Sequence, residues 1–284
     1  MSQGNLRQMI RDAREGGYAL NAFNCADVWD MSAIVQAAEE LDAPVMVAIH
    51  PENFTQIPLY MYGLIGLRMA QEASVPVVLH LDHCTDVSVC KMAVDCGFPS
   101  VMLDASALPV EENIAAVKQV VEYAHQRGCM VEAEMGRIKG QGYEGGYEGD
   151  DYLARVEDCV RLVEETGVDT LAVGIGTAHG YYQGEPKLSF ERLEEIHQAV
   201  PVPLVLHGGT GLRQEDVRRC ISKGICKVNV GTYIASAYMN GMKAELERYG
   251  ENAFIIDLIG TVKKEIKIAA QEWIKVCMGE HKAR

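Results

Sequence analysis

Along the chain, eight short and almost continuously apolar runs alternate with longer stretches whose apolar positions return every three or four residues. The runs occupy 18–24, 43–50, 75–83, 98–104, 129–134, 169–175, 202–208 and 225–231, and helical periodicity is clearest in 31–41 and 110–128. A strand apolar at nearly every position is one covered on both faces, the mark of parallel sheet. Eight strand–helix units in one unbroken alternation therefore predict an α/β fold, a (β/α)8 TIM barrel. A doubly wound open sheet is the alternative, but eight units are long for it and no GxGxxG follows the first run. No linker or low-complexity break interrupts the pattern, so 1–284 reads as a single domain with a helical extension over about 252–284. The one long turn-rich insertion, 136–151, holds six glycines and shows neither helical nor strand period. It reads as a mobile active-site loop or, more plainly, as a disordered ornament.

In such a barrel, chemistry sits where strands end and loops begin. Those positions hold Asn24, His50, Asp82, His83, Asp104, Glu132, Glu134, His179, His207 and Asn229. The stretch VPVVLHLDHC, 75–84, is the densest case: apolar residues run into His80, Asp82 and His83, groups costly to bury unless something binds them. His83, His179 and His207 form the best metal set. Neutral imidazole suits zinc, and catalytic zinc keeps three protein ligands and one open position. For any one of the three, a hydrogen-bonded structural histidine is the plain alternative. His125 and His197 on helical stretches, and His281 in the tail, read as solvated or capping; His80, inside its run, reads as a core histidine or an orienting partner. Asp82, beside the metal set, is placed for general acid–base work. Its structural alternative, capping the next helix, is better served by Thr85 and Asp86. Asp104 and Glu134 can orient a histidine or offer a second metal position, and Glu132 fits a buried ion pair equally well.

LHGGTGL, 206–212, carries a strand into a glycine-rich turn and a helical stretch, and VNVGTYI, 228–234, repeats the arrangement one unit later. Backbone N–H groups at such turns form anion sites, and phosphate binding after strands seven and eight recurs in this fold. A formal charge of −14 argues against nucleic acid as a partner, so an anionic substrate must be held locally. No run approaches the roughly 20 apolar residues of a membrane span, and charges stand near the start where a signal segment would be apolar. Nine cysteines without a CxxC pair point to reduced thiols and a cytoplasmic location.

In this order and spacing, the residues resemble the class II, metal-dependent ketose-bisphosphate aldolases, the fructose- and tagatose-bisphosphate aldolase family. The similarity runs from 18 to about 232: VPVVLHLDHC and VEAEMG match two signatures, TAHGYYQGEPKLSF and LVLHGGTGL the metal and phosphate segments. The resemblance implies a lyase that reversibly cleaves a ketose 1,6-bisphosphate to dihydroxyacetone phosphate and an aldehyde, through a zinc-stabilised enediolate. It implies one Zn2+ per subunit on His83, His179 and His207, with Asp82 moving the proton and Glu134 near the metal, and leaves room for a monovalent cation. It implies a sugar-phosphate site built from Asn24, Gly180, Gly208, Gly209, Thr210, Asn229, Gly231 and Thr232, and a homodimer or homotetramer.

Departures gather on the aldehyde side. His50 stands where a small residue is usual, Arg137 and Lys139 replace glycines, Gln183 replaces a lysine, and the tail lacks the DPR-like stretch whose arginine meets the distal phosphate. Lys263 and Lys264 are candidate substitutes for that arginine. The alternative substrate is a ketose 1-phosphate with a non-phosphorylated or acidic far end. Rivals of other kinds are an amidohydrolase-like barrel, which would carry HxH on the first strand, a Schiff-base aldolase using Lys227, and a non-catalytic sugar-phosphate-binding barrel, which would not need Asp82 beside His83.

Overall fold

The computed structural model describes residues 5–140, 152–182 and 184–283. Eight parallel strands close into a barrel in chain order. They are β1 Leu20–Asn24, β2 Val45–Ile49, β3 Val77–Cys84, β4 Ser100–Leu103, β5 Met130–Met135, β6 Thr170–Val173, β7 Leu204–Leu206 and β8 Ile225–Val230. Each lies within one of the apolar runs or reaches one residue past it. The alternation along β3 explains why the runs look continuous. Val77, Leu79 and Leu81 join the outer core against the helices, while Val78, His80 and Asp82 point into the barrel and are equally buried.

The barrel floor is closed by helix α1, Leu6–Gly16. Asn5 caps its start, its side chain accepting from the Gln8 N–H at 3.2 Å. Leu6, Met9, Ile10 and Ala13 of α1 pack on Leu20, Met46, Val78 and Met130 from the strand starts. Full burial of side chains of this size contributes about 1.5–3 kcal/mol each, which fixes the floor and leaves the opposite mouth for chemistry.

At that mouth, helix α2, Val28–Glu40, begins with a reciprocal cap. Asp27 Oδ1 accepts from the backbone N–H of Trp29 and Asp30, and the Asp30 carboxylate accepts from those of Ala26 and Asp27. The C-terminal helices α9, Thr232–Tyr249, and α10, Ile255–Val276, pack on each other and α10 on α2. No helix among the described residues is long and apolar enough to cross a membrane.

The insertion after β5 departs from its expected irregularity at once. Lys139–Gly140 pairs in parallel with Ala178–His179 as a two-residue ladder, Gly140 opposite His179. So short a strand leaves no periodic signal in sequence. The remainder of the expected mobile loop, 141–151, and Gln183 lie outside the described residues.

Candidate active site

A regular strand would send Asp82 and His83 to opposite faces. Here His83 takes a left-handed backbone, φ 47°, and the β3–β4 register slips between Leu81 and Cys84. The kink brings both side chains to the barrel mouth. The following helix α4, Val87–Asp95, is capped by Asp86, whose side chain accepts from the Ser88 N–H at 2.7 Å. Capping therefore makes no claim on Asp82.

The three expected imidazoles converge. His83 and His207 ring centroids are 4.5 Å apart, His83 and His179 4.9 Å, both edge to face. Hydrogen bonds assign the ring protons. His83 Nδ1 lies 3.0 Å from Asp104 Oδ2, and His207 Nε2 lies 2.9 Å from Glu132 Oε1, so each donates to a carboxylate. The opposite nitrogens, His83 Nε2 and His207 Nδ1, are turned toward the same space, 2.7 Å apart, with Asn229 Nδ2 3.3 Å from the latter. Glu134 Oε2, buried nearby, has no hydrogen-bond partner among the described residues. An unpartnered buried carboxylate oxygen beside three imidazoles whose ligand atoms gather within 4.8 Å is unfavourable in a protein interior unless a cation sits among them. The donor set thus fits zinc. Asp104 and Glu134 also stand with His83 in a second possible metal group.

Charge at the site follows the same logic. Burial opposes a charge on His83, but the Asp82 and Asp104 carboxylates outweigh it and raise the imidazole well above its ordinary value. Burial, with Asp104 as a like-charged neighbour, pushes the Glu134 carboxyl well up. His207 goes the other way: burial and the neighbouring His83 lower it. The site attracts positive charge.

Beneath it lies a layer that sequence reasoning saw only in pieces. Lys227 Nζ donates to both oxygens of Glu132 at 2.9 Å and lies 3.3 Å from His80 Nε2, while His80 Nδ1 lies 2.8 Å from Ser100 Oγ. His80, Asp82 and Glu132 could by spacing hold a metal, but the Lys227 ammonium already fills that place. An amine clamped in a buried ion pair is no nucleophile, which removes the Schiff-base alternative. His80 is fully buried and also faces Asp82, its Nε2 3.5 Å from Oδ1.

Asp82 is fully buried and surrounded by donors. Asn24 Nδ2 donates to Oδ2 at 2.8 Å, and Asn229 Nδ2 to Oδ1 at 2.8 Å and Oδ2 at 3.0 Å. Burial would raise its pKa, yet His83, His80 and Lys227 together hold the carboxyl well below the ordinary carboxylate range. It is held ionised, the form that can accept a proton. Asn24 and Asn229, expected in the sugar-phosphate site, also bond Asp82.

All eight expected phosphate residues, Asn24, Gly180, Gly208, Gly209, Thr210, Asn229, Gly231 and Thr232, line one small cavity of about 10 Å3 with the three histidines. Gly208 has φ 70°, and a Cβ there would meet the Ala178 carbonyl at 2.5 Å, so only glycine fits. Tyr182 clamps this turn, its hydroxyl donating to Gly208 O and accepting from the Ala178 N–H. Helix α9 starts here without a side-chain cap from Gly231, while Thr210 Oγ1 accepts from the Tyr233 N–H at 3.2 Å. Of the two helices that follow the glycine turns, α8 Gln214–Ser222 supplies no residue to the cavity, whereas α9 opens on it with Thr232.

Among the positions where the sequence departs from the family, His50 is buried, accepts from the Glu52 N–H at 3.3 Å, and has its ring 6.3 Å from that of His83. Arg137 donates to the Ala107 carbonyl. Lys263 donates to Ser32 Oγ at 2.9 Å on α2 and lines neither cavity at the mouth, nor does Lys264. At the surface His125 pairs with Asp169 at 2.8 Å.

Fold and site together define a metal-dependent barrel enzyme. The family model for class II fructose-bisphosphate aldolase matches residues 4–282, and a fructose-bisphosphate aldolase of Staphylococcus aureus is 43% identical over 239 residues, 82% of this chain and 83% of that protein. The chain belongs to the class II fructose-bisphosphate aldolase family, and is a lyase. Among solved structures, the YdjI aldolase of Escherichia coli K12 superposes with a TM-score of 0.88 at 31% identity over the full length of both chains. A putative fructose-1,6-bisphosphate aldolase of Coccidioides immitis gives 0.90 at 31% identity over 98% of this chain and 97% of its own.

Proposed function

We propose that this chain reversibly cleaves a ketose carrying a 1-phosphate, of the fructose or tagatose 1,6-bisphosphate type, to dihydroxyacetone phosphate and an aldehyde. The observation that carries the reading is the convergence of His83, His179 and His207, with the unpartnered Glu134 oxygen among them, next to a buried Asp82 held in its ionised form. His83, His179 and His207 would hold one Zn2+ per subunit. When bound, the metal supplies Lewis-acid polarisation of the ketose carbonyl, easing the negative charge left as the C3–C4 bond breaks.

The chain's own residues do the rest. Asp82 takes the C4 hydroxyl proton in cleavage and returns it in condensation, with Asn24 and Asn229 fixing its oxygens. Gly208, Gly209 and the start of α9 receive the 1-phosphate, which anchors the ketose with its reacting bond in place. Glu132 and Asp104 orient His207 and His83.

The testing experiment is cleavage of fructose 1,6-bisphosphate and tagatose 1,6-bisphosphate, with and without chelator, alongside borohydride trapping. Cleavage abolished by chelator and restored by zinc is the expected result. Activity that survives chelation, or a borohydride-trapped lysine, would sink the metal mechanism.

A further inference from the structure

Next to the metal and phosphate cavity opens a larger one of about 510 Å3. The two share Asn24, His179, Gly180, Gly231 and Thr232, so a molecule anchored in the first extends naturally into the second. The larger chamber's wall is mainly apolar, with Ile234, Ala235, Tyr238 and Met239 from α9. Its acidic members are Asp27 and Asp30; among the described residues no lysine or arginine lines it.

A phosphate dianion needs cationic side chains or unclaimed backbone N–H groups. At the α2 helix start that borders this chamber, carboxylates already claim most of the N–H groups. At α2 the N–H groups of Ala26, Asp27, Trp29 and Asp30 are taken by the carboxylates of Asp27 and Asp30, and Tyr238 adds its hydroxyl to Asp27 at 2.7 Å. An anion here would meet the Asp27 carboxylate and no lysine or arginine among the described lining residues. A hydroxyl group would find acceptors. The volume falls within the range of cavities that enclose whole small ligands, far more than a three-carbon fragment fills.

Building on the aldolase reading above, we propose that the aldehyde half lies in this chamber and is uncharged, hydroxylated and longer than three carbons. The 1,6-bisphosphates are then cleaved, but less efficiently than a longer ketose whose single phosphate is at C1, the end bound by the glycine turns.

The zinc-loaded full chain is run in the condensation direction with dihydroxyacetone phosphate. The acceptors are D-glyceraldehyde 3-phosphate, D-glyceraldehyde, and four- and five-carbon aldoses, with kcat/KM corrected to the free aldehyde fraction. At least one uncharged four- or five-carbon acceptor is expected to exceed glyceraldehyde 3-phosphate by tenfold or more. A smaller advantage, parity, or a win for the phosphorylated acceptor overturns the proposal, a second copy of the chain being one source of the missing cation. Failure of every acceptor refutes the aldolase reading itself. As a second arm, Met239, 62% exposed, is changed to arginine (Met239→Arg). The folded variant is expected to gain at least fivefold in kcat/KM for glyceraldehyde 3-phosphate. No gain places the far end of the substrate outside this chamber and overturns the assignment.

Discussion

Glu132 and His207 are joined by a 2.9 Å hydrogen bond in the closed interior, and the same carboxylate takes both of its contacts from Lys227 at 2.9 Å. One side chain therefore serves stability and site geometry together. Lys227→Met strands a buried carboxylate, and we expect it to cost about 3–5 kcal/mol in denaturant unfolding. Changing both partners, Glu132→Leu with Lys227→Met, should recover most of that stability while zinc affinity falls roughly 10–100-fold, because His207 loses its orienting acceptor. Wild-type zinc affinity in the double variant would show that Glu132 does not orient the ligand.

Single alanine replacements of His83, His179 and His207 should each strip the zinc from purified protein and reduce cleavage to background. Atomic absorption and activity are measured on the same samples. Stoichiometric zinc with near-normal turnover in His179→Ala would remove that residue from the set.

Asp82→Ala should keep metal and fold but lose roughly 10²–10⁴ in kcat, the usual span for a positioned proton-transfer group. Asn229→Ala should lose less, because Asn24 still holds one carboxylate oxygen. Loss of zinc from Asp82→Ala would instead make Asp82 part of the metal's support.

Asp30 gives a pH prediction away from the histidines. Burial, and then the nearby Asp27, raise its carboxyl to about 7 against the ordinary 3.8. The folded chain therefore keeps a proton that the unfolded chain releases between about pH 3.8 and 7. Stability falls as pH rises through that window, by at most roughly 4 kcal/mol, and the loss is complete above it. Asp30→Asn removes the titration, so its stability relative to wild type should climb from pH 4 to pH 8. A flat difference between the two unfolding profiles would show that Asp30 is ionised throughout, its three backbone N–H bonds offsetting burial.

Much of this was legible in sequence because parallel barrel strands write themselves as apolar runs, and because their ends are the places where polar residues collect. His83, His179 and His207 could be chosen on that ground alone. What sequence could not supply was pairing across the barrel. Glu132 and Lys227 lie 95 positions apart, and nothing local distinguishes a lysine that balances a carboxylate from one that attacks a carbonyl. The resemblance implied that Asn24 and Asn229 belong to the sugar-phosphate site, but not that both bond Asp82, a relation set by barrel closure between β1, β3 and β8. Lys263 looked available for a distal phosphate, but helix packing delivers it to Ser32.

The left-handed backbone at His83 has a consequence for how this enzyme can change over evolutionary time. Asp82 and His83 are neighbours in sequence that reach the same space only because one residue breaks the two-residue period. Inserting or deleting a single residue between His80 and Cys84 would exchange the inward and outward sets, costing the carboxylate and the imidazole at one stroke. Point substitution is nearly as restricted, since few side chains other than glycine, asparagine and aspartate accept that conformation cheaply. The two groups are thus inherited as a unit. Diversification must occur in the walls of the adjoining chamber, where α9 contributes side chains such as Met239 that carry no such backbone constraint.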